Sequence, residues 1–141
     1  MRPTILALDL EGTLISNAVS QIPRPGLYSF LESVNELFEF LVIYTTVPEA
    51  VFRAIAKLLA DEGSAPDWFA HLPYIDWSGA TKDLSNVAHA PGQALLLDDH
   101  RAYVHPGQEN YWIEVALFAA PYAASDSGLD AALGQIRMRL R

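Results

Sequence analysis

A single α/β domain built on a doubly wound, Rossmann-like parallel sheet flanked by helices is predicted by three observations. Apolar runs recur without polar alternation, amphipathic helical patterns lie between them, and no repeat, low-complexity tract or linker interrupts the series. Unalternating strands suit a sheet covered on both faces, and strand–helix alternation implies right-handed crossovers between parallel neighbours. The chain's 141 residues suffice for one buried core and not for two, so residues 1–141 read as one domain.

The first strand is Ile5–Leu8. Pro25 suits a first helical turn, after which Leu27, Phe30, Leu31, Val34, Leu37 and Phe38 recur at helical spacing. The second strand is Phe40–Tyr44. Pro48 then opens a helix with Val51, Phe52, Ile55, Leu58 and Leu59 inward and Gly63 as its stop. Ser64–Gly79, with Pro66, Trp68, Pro73 and Trp77, reads as a packed irregular excursion, within which His71–Ile75 is a further strand candidate. Thr81 or Asp83 caps a short helix through Val87, ahead of the third strand, Ala94–Leu97. Tyr111–Val115 is a weaker apolar run. Ser125 or Asp126 caps the last helix, with Leu129, Leu133, Ile136 and Leu140 inward and Arg137, Arg139 and Arg141 near its C-terminus, where the dipole favours cations.

Composition narrows the function. Apolar residues at 51% and charged residues at 18% indicate a folded chain rather than a disordered one. A net charge of −8 argues against nucleic acid as the main partner. No apolar run is long enough to span a bilayer, the N-terminus lacks a leader pattern, and without Cys there is no disulfide framework or thiolate metal site. A cytoplasmic location with no membrane contact is the expectation.

Sites in such sheets form beyond the carboxyl ends of the strands. Asp9 and Glu11 follow the first strand, Thr45 and Thr46 the second, and Asp98 and Asp99 the third, while Lys82 opens the short helix before it. An Asp at the mouth of a buried strand can bind a divalent cation and attack phosphorus, with the residue two positions on placed to move the proton. Adjacent acids such as Asp98 and Asp99 repel unless a cation joins them.

In order, Asp9-Leu10-Glu11-Gly12-Thr13, Val42-Ile43-Tyr44-Thr45, Lys82 and Leu95-Leu96-Leu97-Asp98-Asp99 resemble the four motifs of the haloacid-dehalogenase-like (HAD) superfamily. Arg24-Pro25-Gly26-Leu27 leading into Phe30-Leu31, Leu37-Phe38-Glu39-Phe40 and Thr81-Lys82-Asp83-Leu84-Ser85 resemble its C-terminal-domain phosphatase-like (NIF-like) branch, and the likeness covers Ile5 to Phe118. The resemblance implies a Mg2+-dependent phosphomonoester hydrolase with Asp9 as nucleophile and an aspartyl-phosphate intermediate. It implies Mg2+ ligands from Asp9, the Glu11 backbone carbonyl and Asp99, with Asp98 orienting a metal-bound water or Lys82, or binding directly. Thr45, and less so Thr46, would contact phosphoryl oxygens, and Lys82 would neutralise charge where three acids converge.

Glu11 stands where most members carry Asp. Since the implied metal contact is its backbone carbonyl, the change bears on general acid/base transfer, typically worth ~10²–10⁴ in rate. Enolase-phosphatase-like and homoserine-phosphotransferase-like members carry similar Asp-x-Glu-Gly motifs, so the resemblance keeps Glu11 as an altered acid. The alternative is a catalytically weak or inactive HAD-like binding or scaffold domain. Only about ten residues separate Thr13 from Arg24, leaving no room for a cap domain. An uncapped site suits a phosphoprotein, or a small phosphometabolite enclosed by a second copy of the chain in a homo-oligomer. A receiver domain is excluded by motif order, since its acidic pair comes first, and no GxxxxGK[ST] loop is present.

The remaining polar and aromatic residues have plainer readings. Arg24 is expected to order the entry to the first helix, and the four His share no metal-ligand spacing, His100 being at most a rim residue. Trp68 and Trp112 are expected to pack, and Trp77 is the aromatic to examine near the site.

Overall fold

The computed structural model describes residues 2–141. Strands β1 (Ile5–Leu8), β2 (Phe40–Ile43), β3 (Ala94–Asp98) and β4 (Trp112–Glu114) form one parallel sheet in the order β2-β1-β3-β4. Three helices accompany it, α1 (Leu27–Leu37), α2 (Glu49–Asp61) and α3 (Gly128–Arg139). Leu8 at the end of β1 lies in register with Ile43 on one side and Leu97 on the other. The expected parallel α/β fold without a cap domain is the fold observed.

Side-chain alternation divides the sheet into two faces. Leu6, Leu8, Leu41, Ile43, Leu95, Leu97 and Ile113 pack against the apolar stripes of all three helices, including Leu31, Phe52 and Ile136. Ile5, Ala7, Val42, Tyr44, Ala94 and Leu96 line the other face, where Leu84, Ile75, Trp77, Val87 and Ala88 cover them. The chain thus winds outward from β1 under helices and returns to β3 across the opposite face. The strand order reverses between β1 and β3, and that reversal makes the crevice in which such folds bind ligands.

Several elements differ from the sequence reading. His71–Ile75 is not a strand but a single parallel bridge, Ile43 to Tyr74, because a 3-10 turn takes up Asp67–His71 and Pro73 has no N–H for a ladder. Its two hydrogen bonds run from the Ile43 N–H to the Pro73 carbonyl (2.8 Å) and from the Ile75 N–H to the Ile43 carbonyl (2.9 Å). The helix expected through Val87 is one 3-10 turn, Leu84–Asn86, capped by Asp83 through the Ser85 N–H and not by Thr81. Asp126 rather than Ser125 accepts the Gly128 N–H at the start of α3. On α2, Val51 and Leu58 are 40% and 42% exposed, because the buried stripe is centred on Phe52, Ile55, Ala56 and Leu59 and leaves them at its edge.

The excursion is tied down. Phe69 meets Phe52 edge-on at 5.4 Å, and Arg53 donates to the carbonyls of Ala70 (3.0 Å) and Leu72 (2.6 Å). Among the described residues no helix is long and apolar enough to cross a membrane.

Candidate active site

The alternation that sorts the core also sorts the acids. Continuing β1 and β3 by the same period, Asp9 and Asp98 belong to the face of Ala7 and Leu96, the face crossed by the Lys82 segment. The Lys82 side chain is wholly buried, and its Nζ donates to Asp9 Oδ1 (2.8 Å) and Asp98 Oδ2 (2.5 Å). Its backbone N–H donates to the Tyr103 carbonyl (2.7 Å), and Nζ lies 4.9 Å from the Tyr103 ring centroid. Burial alone would lower the ammonium pKa, but the two carboxylates outweigh it and the pKa is raised. Lys82 is therefore a fixed cation. The other Asp98 oxygen, Oδ1, accepts the His100 backbone N–H (2.9 Å).

Asp99, just past the end of β3, meets Thr13 from the loop after β1. Thr13 Oγ1 lies 2.7 Å from Asp9 Oδ2 and 2.9 Å from Asp99 Oδ1. One hydroxyl hydrogen cannot serve two carboxylates, so the arrangement is complete only with a proton on Asp99 or a cation between the acids. Burial first, then Asp9 beside it, pushes the Asp99 carboxyl up to about 7. Asp98 is pushed up to about 6 by burial and the Asp9 charge, against the pull of Lys82. Oxygens of Asp9, Asp98 and Asp99 all lie within 4.8 Å of one another. An all-oxygen donor set with one ammonium for three carboxylates fits a hard divalent cation such as Mg2+. Gly12, at φ +74°, makes the close approach feasible: a Cβ there would sit 2.9 Å from Asp99 Oδ2 and 2.6 Å from Leu117.

A second buried cation braces this loop. Arg24 Nε and Nη2 donate to the two Asp126 oxygens (2.7 and 3.2 Å), and Nη1 to the carbonyls of Thr13 (3.2 Å) and Gly12 (3.4 Å). The Phe118 ring packs against the guanidinium at 5.4 Å. Asp126 is held below the usual carboxylate range chiefly by its bond from Arg24. A side chain at Gly128 would collide with the guanidinium, so glycine there is a packing requirement. Arg24 thus does more than order the entry to α1. It joins the loop after β1 to the start of α3.

The other predicted residues are placed differently. Glu11 is half-buried, and its Oε2 accepts the Ala18 N–H (2.7 Å) in the loop before Arg24, not a group of the acidic cluster. Thr45 is buried one position past Tyr44, whose N–H still bonds the Leu8 carbonyl (2.8 Å), and Thr45 Oγ1 accepts the Val47 N–H (3.1 Å). Thr46 is exposed and does not cap α2, whose flanking residue is Pro48. Trp77 Nε1 donates to the Thr45 carbonyl (2.8 Å). The structure therefore gathers Asp9, Lys82, Asp98 and Asp99 in one cluster, sets Thr45 one strand away and turns Glu11 toward its own loop. Thr13, Tyr103 and the Arg24–Asp126 pair are parts of the site that sequence reasoning did not assign. Thr13 was signalled by its place in the first motif and Asp126 only as a helix cap; Tyr103 carries no local signal.

No curated protein matches the chain significantly. A family profile matches residues 4–137, nearly the whole length, and covers every residue of the cluster. With that match, the chain belongs to the NLI interacting factor-like phosphatase family, the HAD-like branch its motifs resemble.

Proposed function

We propose that the protein is a Mg2+-dependent phosphomonoesterase working through an aspartyl-phosphate on Asp9, with Glu11 as general acid and base. The observation that carries this is the state of Asp9, a buried carboxylate at the topological switch point with both oxygens held, one by Lys82 Nζ and one by Thr13 Oγ1. A carboxylate fixed in this way meets an incoming phosphorus without first reorganising.

In this mechanism Asp9 attacks phosphorus, and the bond to the leaving alcohol breaks as the acyl phosphate forms. Glu11 gives its proton to the leaving oxygen. It then takes one from the water that attacks the same phosphorus, releasing inorganic phosphate and restoring Asp9. To do so its carboxylate must exchange the Ala18 N–H for the substrate, so proton transfer is tied to movement of the loop through residues 16–22. Lys82 offsets the charge gathered on Asp9 and the phosphoryl oxygens, and the Thr45 hydroxyl donates to one of those oxygens. Asp9, Asp99 and the Glu11 carbonyl would hold Mg2+, with Asp98 orienting Lys82; when bound, the cation screens phosphoryl charge and the acids from one another. The uncapped crevice suits a phosphorylated protein side chain or a small phosphometabolite. The Glu11–Ala18 bond is also what a catalytically weak scaffold domain would retain.

Hydrolysis of an aryl phosphate with and without Mg2+ by wild type, Asp9→Asn and Glu11→Asp decides between them. Mg2+-dependent turnover lost in Asp9→Asn supports the enzyme. Wild-type rates no higher than those of Asp9→Asn, on this substrate and a phospho-compound panel, would sink it. A strong gain in Glu11→Asp from a near-zero rate favours the scaffold.

A further inference from the structure

A recess of about 250 Å³ opens beside Thr45, lined by Thr45, Thr46, Tyr74, Asp76, Trp77 and Gly79. Its polar groups are used in a particular way. Tyr74 donates its hydroxyl to the Val47 carbonyl (2.5 Å) and Trp77 its indole N–H to the Thr45 carbonyl (2.8 Å), so both side-chain donors are spent on the backbone. Trp77 is further fixed edge-on against Tyr44 at 5.4 Å. The recess therefore presents aromatic surface, the exposed Asp76 carboxylate and the Thr46 hydroxyl. Asp76 has no ion pair or hydrogen bond among the described residues, whereas nearby Glu49 is paired with Arg53 at 3.0 Å. Burial first, then the charges of Glu49 and Asp76, raises the Tyr74 pKa, which keeps the phenol a neutral donor in a negative local field.

With its aromatic O–H and N–H already bonded to the backbone, the recess offers π faces and an unpaired carboxylate, which favour a positively charged group. Such a group also answers a problem set by the whole chain. A phosphate monoester must approach a protein of net charge −8, and a cation carried beside the phosphate offsets that repulsion. We propose that the substrate carries an ammonium or guanidinium a short distance from its phosphomonoester, and that the recess between Trp77 and Asp76 receives it. This rests on the phosphatase function above and specifies its substrate class. Two sources share the chemistry: a phosphopeptide with Lys or Arg beside the phosphoresidue, and a small aminoalkyl phosphate.

The test compares kcat/KM for phosphoserine peptides bearing Lys, Arg or norleucine next to the phosphoserine, and for phosphoethanolamine against ethyl phosphate. Wild type should prefer the cationic member of at least one pair by about tenfold. That ratio should fall to about twofold or less in Asp76→Asn and shrink as salt is raised. Which pair shows the preference identifies the source. No preference in either pair, or a preference undiminished in Asp76→Asn, overturns the proposal. Calorimetric binding of the same compounds to Asp9→Asn, with and without Asp76→Asn, reads the preference without turnover. If wild type fails to hydrolyse even the aryl phosphate, the phosphatase function falls by itself. Binding then still decides the recess: a cation preference lost with Asp76 supports it, and equal binding of cationic and neutral compounds overturns it.

Discussion

Lys82 and Arg24 are both buried cations, and both hold the loop after β1, yet they are built to opposite ends. Arg24 forms a compact set: Nε and Nη2 meet the two oxygens of Asp126, Nη1 reaches two carbonyls, and an aromatic ring covers its plane. Every guanidinium nitrogen is bonded, as suits a planar fork in a structural joint. Lys82 is a compact point charge set between Asp9 and Asp98, with Asp99 in reach of the same cluster. One ammonium against three carboxylates leaves the set electrostatically open. The joint balances one cation against one anion and calls for no ligand; the cluster has an excess of carboxylates that a cation would offset.

Four measurements would break or sharpen that contrast. The largest effect is expected from Lys82→Met, which leaves Asp9 and Asp98 buried without their cation. Activity should fall on the order of 10²–10³-fold, and stability by about 3–5 kcal/mol in denaturant titration. Retention of wild-type turnover would remove Lys82 from the chemistry. Arg24→Ala should cost a similar ~3–5 kcal/mol by stranding Asp126 and freeing the loop. Arg24→Lys should recover only part of this, because one ammonium cannot replace a bidentate fork. In Arg24→Lys the thermal shift produced by Mg2+ should persist, and its loss would mean the joint and the cluster are one unit.

The pH dependence should separate the two cations by sign. Asp98 and Asp99, raised to about 6 and about 7 from 3.8, bind protons more tightly folded than unfolded. Their contribution to the metal-free protein is therefore full below about pH 4 and is lost as pH rises toward 7. Asp126, with its pKa lowered, contributes above its unfolded pKa and loses that contribution only as pH falls below it. Added Mg2+ should raise Tm more at pH 8 than at pH 5, since its ligands must be deprotonated. An equal shift at both values would count against metal binding by these acids. The smallest effects are expected from the rings. Tyr103→Leu and Phe118→Leu each remove an aromatic face from a cation, at about 1 kcal/mol each. The first should also lower turnover and the second should change stability alone, as steady-state kinetics beside calorimetry would show.

How much of this was legible varies with the range of the signal. β1, β2 and β3 announce themselves as apolar runs, and each ends in polar residues, so Asp9, Thr45, Asp98 and Asp99 could be placed at strand mouths without coordinates. Lys82 was readable through its motif, although no local rule puts a lysine in a core. The orientation of Glu11 was not readable, because a side chain two residues past a strand can face the crevice or its own loop, and only the Ala18 N–H decides. Nor was the edge at Tyr74, where a 3-10 turn and a proline override the strand candidate at His71–Ile75.

By itself, the sequence determined the parallel α/β class, the strand ends and the order of the residues that meet there, because periodicity and turn chemistry act over a few neighbouring positions. Tertiary structure alone decided the pairings: Thr13 between two acids, Tyr103 against Lys82, and Arg24 with Asp126, 102 positions away. It also set Trp77 and Asp76 beside Thr45 to form the recess. The reason is physical. Which strand lies beside which, and which loop then covers a buried charge, depends on closing the whole core, and no window of sequence contains that condition.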